Sequence, residues 1–529
     1  MKFIQGNDRT QTHLFPVSLD LSIDTDNEVR LIDLFVDSLP LAEYGFKMEF
    51  VENGRPAYHP GDLLKLFIYG YMNKVRTTRD LEKECKRNIE VMWLMKCLQP
   101  DHNTIANFRR DNPKAIKKVF RATVQVARHF KLIGGKLIAG DSTRLQAQNS
   151  KKNNFNQKKI ERHLAYIDQK LDEYCNSLAK ADGDDRDQIR KEIDTCHQRR
   201  DHYKEIEQQM HESGATQVST SDPESRLLVT GNKGPEVVYN IQVSTDAEHC
   251  LPIDYKVTNS IDNRAMGNML RRAKSILRTN EFTALYDKGY HTGSEFEIAD
   301  KLGIETLVSI PDPTASNHAP DPEYNVDKFT YSTEKDSYTC PQGAELVTNG
   351  TWYGKRGVRF KQYKTRACRS CPVKKLCTTA LLTGRMVQRS EFASYTEQNK
   401  VNILQKQKLY KNRKAIVEHP FGTIKRQWGF DYILTKKGME RASADVGFMF
   451  TAYNLRRIIN IVGQKNLREY LKRVLFAFFY HCKPLLQQIE YITGVEKECQ
   501  STFLGLKNII LKTVFTGCYL EKPGIVRGL

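Results

Sequence analysis

The chain reads as a mixed α/β protein flanked by helices, and three observations predict it. The first ~130 residues repeat apolar positions at helical intervals. The stretch from about Lys136 to Ile310 alternates short apolar runs with basic, helix-compatible segments, the pattern of a mixed sheet. Two interruptions differ in composition from their surroundings, one patterned in heptads and one rich in cysteine.

The N-terminal part (1–130) is expected to be a helical DNA-binding domain. Leu63, Leu66, Phe67 and Tyr69, then Leu81, Ile89 and Met92, recur at helical spacing, and Pro60 suits a first helical turn, where its missing N–H is not needed. In PDHNTIANFRRDN, Pro100 breaks one segment and Asp101 or Asn103 can cap the next, which carries Ile105, Phe108, Arg109 and Arg110. A helix, a break and a second helix ending in arginines is compatible with a helix-turn-helix, which would put Arg109 and Arg110 on DNA; an ordinary helical hairpin is the alternative.

A strand at Lys136–Ala139 is expected to deliver Asp141 at its end. Residues 150–215 then leave the sheet: Ile160, Leu164, Ile167, Leu171, Tyr174 and Leu178, and after KADGDDRD Ile189, Ile193, Cys196, Tyr203, Ile206 and Met210, predict an antiparallel helical hairpin. VVYNIQVSTD and LPIDYKVTN read as a β-hairpin, followed by a basic helix spanning Arg271 to Arg278 that would hold a DNA backbone, and then by the strand FTALYD. A helix, GSEFEIADKLG, and a strand, ETLVSI, complete the sheet. Residues 313–394 form the cysteine-rich insertion, with Cys340, Cys368, Cys371 and Cys377 in a C…C-x2-C-x5-C arrangement. Four thiolates in turn-forming contexts fit a tetrahedral structural zinc, against the alternative of four reduced thiols. A helical block runs to Val462, and 463–529 is expected to be a C-terminal helical extension.

Composition narrows the function. Lys and Arg outnumber Asp and Glu by 82 to 63 in 529 residues, a net charge of +19 spread along the chain, as expected of a protein that neutralises many phosphates. Twelve cysteines in a chain of this size do not make a disulfide scaffold. MKFIQGNDRTQTHLF lacks the apolar core of a signal peptide, and the most apolar run, from Val474 to Leu486, is interrupted by His481, Lys483 and Pro484. These features predict a cytoplasmic, nucleoid-associated protein with no membrane span.

Three separated acids carry the chemistry: Asp141 in KLIAGDSTRLQA, Asp287 in FTALYDKGY and Glu418 in RKAIVEHPFGTIKRQWG. A strand-end aspartate is by itself more often a turn residue, but two on strands and a glutamate on a helix can hold a pair of divalent ions, Mg²⁺ or Mn²⁺. Such a pair activates a water or hydroxyl and stabilises the leaving oxygen of a phosphodiester. Lys414 and Lys425 can share the helical face of Glu418, and Pro420 makes a regular helix there uncertain. Trp428 reads as a core residue before it reads as a platform for an unpaired base.

In order and spacing these blocks resemble a bacterial insertion-sequence transposase of the DDE type. The resemblance runs from RPAYHPGDLLKLFIYGYM and PDHNTIANFR through GDSTRLQA and YDKGYH to VEHPFGTIKRQWG and FMFTAYNLRRI. It implies a ribonuclease-H-like catalytic domain over 131–462, with Asp141, Asp287 and Glu418 as the metal-binding triad. It implies DNA contacts by Tyr410, Arg413 and Lys425. Four residues separate Arg413 from Glu418 where the resembled branch usually has three, so Lys414 stands at the expected step and shares the candidacy. The implied partners are double-stranded DNA, both terminal inverted repeats and target, and a second copy of the chain on that DNA. A metal-dependent nuclease without strand joining, and an inactive transposase-derived repressor, remain the alternatives.

Overall fold

A computed structural model describes residues 18–48, 56–230, 234–312, 319–355, 357–380, 382–435 and 437–475. Its centre is a six-stranded mixed sheet made of β1 (Leu137–Gln146), β2 (Arg226–Thr230), β3 (Gly234–Asp246), β4 (Leu251–Thr258), β5 (Thr283–Tyr286) and β6 (Glu305–Val308). Strand β3 runs antiparallel to β1 on one side and to β2 and β4 on the other. Strand β5 runs parallel to β1, and β6 parallel to β5.

Strand β1 is longer than its apolar run suggests. The expectation was an end near Ala139 with Asp141 closing it; instead the strand continues through Asp141 to Gln146, because β3 supplies an antiparallel partner along that whole length. Only the parallel pairing with β5 stops, at Ala139.

The N-terminal helices do not form a core of their own. One continuous apolar cluster joins Phe35 and Phe67 to Ile138, Tyr255, Phe448 and Leu471. Every residue of the helix Pro60–Met72 is buried, and it lies against the helix Met439–Val462, where the rings of Phe67 and Phe448 stack 4.7 Å apart. Met439–Val462 also covers Pro113–His129 and β4. Its apolar run carries one acid, Asp445, fully buried. Arg76 Nη2 lies 3.0 Å from Asp445 Oδ2, Arg109 Nη1 lies 3.7 Å from Oδ1, and the Tyr71 hydroxyl donates to Oδ1. Burial alone would raise the Asp445 pKa, but the two guanidiniums outweigh it and hold the carboxyl below its ordinary range.

That network corrects one expectation. Asp101 does cap the helix His102–Asp111, accepting from the N–H groups of Asn103 and Thr104. Its Ile105, Phe108 and Arg109 point inward, however, and Arg109 is 5% exposed. A guanidinium committed to Asp445 is not presented to a phosphate. Arg110 is outside and pairs with Asp111 at 2.6 Å. Arg272, on the helix Met266–Leu277, is likewise turned in toward the buried Asp254, which Arg121 reaches at 2.7 Å.

Two excursions leave the sheet. Gln157–Leu178 and Asp184–Ser213 pack on each other through Ile160, Ile206 and Met210 at the base and Ile167, Leu171 and Cys196 further out. The second excursion is a six-stranded antiparallel sheet, from Thr330–Ser332 to Val387–Ser390, around Phe329, Tyr338, Leu346, Tyr363 and Val387. A helix begins at residue 464 and continues to 475. The remainder of the expected C-terminal extension, with most of the apolar run from Val474, lies outside the described residues. Among the described residues no helix is long and apolar enough to cross a membrane.

Candidate active site

The site is built on one face of β1 and β5. Parallel pairing joins Leu137 to Thr283, Ile138 to Ala284 and Ala139 to Leu285. The same offset carried two residues further sets Asp141 opposite Asp287. Because side chains alternate, both aspartates share the face of Ala139 and Leu285. That face is covered by the helix Arg413–Phe421, whose Ile416 and Val417 pack on Ala139, Leu285 and Leu307.

A glycine lies close to each aspartate. A Cβ at Gly140 would come 2.0 Å from the ring of Tyr286, so no side chain fits beside Asp141 without displacing that buried ring. Past the end of β5, Asp287 caps a 3₁₀ turn by accepting from the Gly289 N–H at 2.9 Å. Behind this turn, Tyr290 donates to Gln242, and Asn240 and Gln242 both donate to Asp262. Sequence reading passed over Asn240, Gln242 and Asp262; for the first two, polar positions inside an apolar strand were the available signal.

The segment carrying Glu418 is fastened to β1 at both ends. Arg413 Nη1 donates to Asp141 Oδ2 at 2.9 Å, and the Ile433 N–H donates to the Gln146 carbonyl at 2.8 Å. Between them, Lys425 Nζ reaches Thr143 Oγ1 and the Arg144 carbonyl at 3.1 and 3.0 Å. Tyr410 donates to the Tyr286 carbonyl at 3.0 Å, one residue before Asp287. Pro420 lies inside the helix, which gives way to a π-helical stretch at Gly422–Gln427, where the Trp428 N–H donates to the Thr423 carbonyl at 3.0 Å. Trp428 packs edge-on against Phe430 at 5.6 Å.

The structure brings Asp141, Asp287, Arg413 and Tyr410 together, with Lys425 two to three residues along β1. Glu418 is on the same helix, yet its side chain is 64% exposed and lies 3.7 Å from Lys414. Among the described residues no three His, Cys, Asp or Glu side chains stand ready to hold a metal ion. The donor chemistry of the aspartate pair still fits a hard divalent cation: paired carboxylates, one of them largely withdrawn from water. Burial pushes the Asp141 carboxyl up to about 6, with Asp287 adding to the rise and Arg413 and the Ser142 N–H opposing it.

The sign of that shift gives a test. A carboxyl with a raised folded pKa is favoured in its protonated form, so the native state loses stability as pH rises from about 4 through about 6. Asp141→Asn removes this loss. Relative to the parent, the metal-free variant is expected to gain on the order of 1–3 kcal/mol between pH 4 and pH 7, read from denaturation midpoints. A stability difference independent of pH would show that Asp141 does not carry the shift.

Comparison with known proteins matches two stretches of the chain. Residues 17–111 match a family model described as Transposase domain (DUF772), and residues 339–459 match one described as Transposase DDE domain. The chain thus carries two stretches of transposase family type, the second of them a DDE domain. The second match contains Glu418 and the basic residues around it, while Asp141 and Asp287 lie upstream of it. No curated protein matches the chain. A solved structure titled "Cryo-EM structure of piggyBac transposase synaptic complex with hairpin DNA" is similar at 12% identity and a TM-score of 0.30, covering 94% of this chain and 82% of that one.

Proposed function

We propose that the transposase cuts the DNA ends of its own element and joins them to a target, through a divalent-metal site formed by Asp141, Asp287 and Glu418. The observation that carries this reading is the register of β1 and β5, which sets two aspartates side by side under the helix that bears the glutamate. The strand order β4-β3-β1-β5-β6, antiparallel on one side of β1 and parallel on the other, supports a ribonuclease-H-like catalytic domain.

Bound divalent ions, two in this reading, would supply an activated water or hydroxyl and neutralise charge at the leaving oxygen. Asp141 and Asp287 would hold them from the sheet, and Glu418 from the helix after turning away from Lys414. Arg413, released from Asp141, would hold a phosphate oxygen together with Lys414 and Lys425. Tyr410 fixes the backbone beside Asp287. The reaction would proceed by direct displacement, with neither Tyr290 nor Tyr410 as nucleophile: water opens a phosphodiester and frees a 3′ hydroxyl, and that hydroxyl then attacks a target phosphodiester and displaces its 3′ oxygen. Joining two ends calls for two copies of the chain on DNA. The test is incubation with Mg²⁺, a duplex carrying the element's ends and a target plasmid. Joined products support the reading; cleavage without joining marks a nuclease.

The insertion is proposed to hold structural zinc. Cys340, Cys368, Cys371 and Cys377 line one cavity, where they would have to draw together to ligate an ion, and the Cys377 pKa is raised by burial and by its three neighbours against an opposing Arg385. Cys340 sits in a tight turn in which its carbonyl accepts from the Gly343 N–H at 2.8 Å. Purified protein is expected to carry one zinc per chain. Cys371→Ser should lose it and melt at lower temperature, whereas metal-free protein with unchanged melting would leave four reduced thiols.

A further inference from the structure

Between Thr351 and Ala380 the chain has nine basic residues and no acidic one, although acids make up 63 of its 529 residues. This run builds the strands Tyr353–Lys355 and Val358–Lys364 and the turns that lead to the cysteines. Two of its cations are committed locally: Arg359 pairs with Glu391 at 2.8 Å and Lys361 with Asp336 at 2.6 Å. Both also face the ring of Trp352, at 5.6 and 5.3 Å, and that indole remains 46% exposed. Lys355, Lys364, Arg366, Arg369 and Lys375 are exposed and have no carboxylate partner among the described residues.

The sheet that carries them abuts the candidate active site. A Cβ at Gly293, six residues after Asp287, would come 2.5 Å from Phe392, where the insertion ends. Thr292 and Ser294 share a cleft with Tyr338, Val358 and Arg389 of the insertion. Asn399, on the helix that follows, exchanges hydrogen bonds with the backbone of Val308, at the end of β6. The insertion is thus fixed beside the Asp287 turn instead of hanging from a linker.

We infer that the basic hairpin of the insertion is a binding surface for the phosphate backbone of duplex DNA, holding the DNA flank that leads into the active site. The inference rests on the reading that the chain acts on DNA. A solvated face normally mixes both signs of charge; five exposed cations from one acid-free run of sequence, none paired with a carboxylate among the described residues, repel one another until a polyanion neutralises them. The zinc proposed for the cysteines would hold the same turns rigid, which reduces the ordering cost of binding.

The full-length chain is to be titrated with a labelled, mixed-sequence DNA duplex at a series of salt concentrations. Lys355→Ala/Lys364→Ala/Arg366→Ala should weaken binding and lower the slope of log K against log salt by about 2–3, roughly 0.9 for each phosphate that is no longer neutralised. Lys355→Arg/Lys364→Arg should keep the parent slope, and matched melting curves exclude unfolding. An unchanged slope in the alanine variant overturns the inference. So does a loss confined to single-stranded DNA, which would mark the indole as a base-stacking platform. Cleavage is measured in parallel: a lowered slope in a chain that never cleaves keeps the surface and discards the catalytic reading, and cleavage with an unaltered slope does the reverse.

Discussion

Asp287→Asn is expected to abolish strand cleavage and joining while leaving binding to DNA ends intact. Asp287 stands opposite Asp141 across two parallel strands, and its carboxylate is held in place by the Gly289 N–H. An amide of the same shape keeps that contact but loses the charge that would bind a divalent ion. The several kcal/mol a metal supplies to charge development correspond to a rate loss of about 10³-fold or more. Cleavage and joining are measured with Mg²⁺ on a duplex carrying the element's ends, and binding by gel retardation without metal. Persistent cleavage at the parent rate would falsify the metal assignment. Loss of end binding together with cleavage would instead point to a misfolded loop.

Asp445→Ala should be the most destabilising change in the helical half of the protein. Asp445 is fully buried, and its carboxylate is the shared partner of Arg76 and Arg109, which are 4% and 5% exposed, and of the Tyr71 hydroxyl. Removing it leaves two guanidiniums in the core without a counter-charge. Breaking such a pair costs about 3–5 kcal/mol, well above the worth of a surface bridge. Urea denaturation of the full chain reads the loss directly. A change below about 1 kcal/mol would mean that water reaches the guanidiniums. Because the Asp445 pKa is lowered on folding, this contribution is present above the ordinary aspartate range and fades as pH falls below it.

Both effects bear on how far the sequence could be read. Asp141 and Asp287 were legible because each follows a short apolar run that reads as a strand. The helical hairpin showed itself in heptads, and the basic surroundings of Glu418 in the spacing of Lys414 and Lys425, with Tyr410 and Arg413 added by the resemblance. Arg109 misled. On a short helix after a break it looked like a DNA contact, and its commitment to a residue more than 300 positions away leaves no local trace. Asp445, an acid in the apolar run SADVGFMFTAYN, was the readable half of that pair.

The amino-acid order by itself determined which residue types are available and on which elements: strands by alternation and apolar runs, helices by period, a basic chain by composition. These are local properties, fixed within a turn or a strand. What the tertiary structure decided is register and direction. The pairing of β1 with β5 sets two aspartates 146 positions apart side by side, and the packing of Ile416 and Val417 gives Arg413, not Glu418, the first contact with Asp141. Distant segments meet through burial and backbone pairing, and those are energies of the whole fold that no short window of sequence contains.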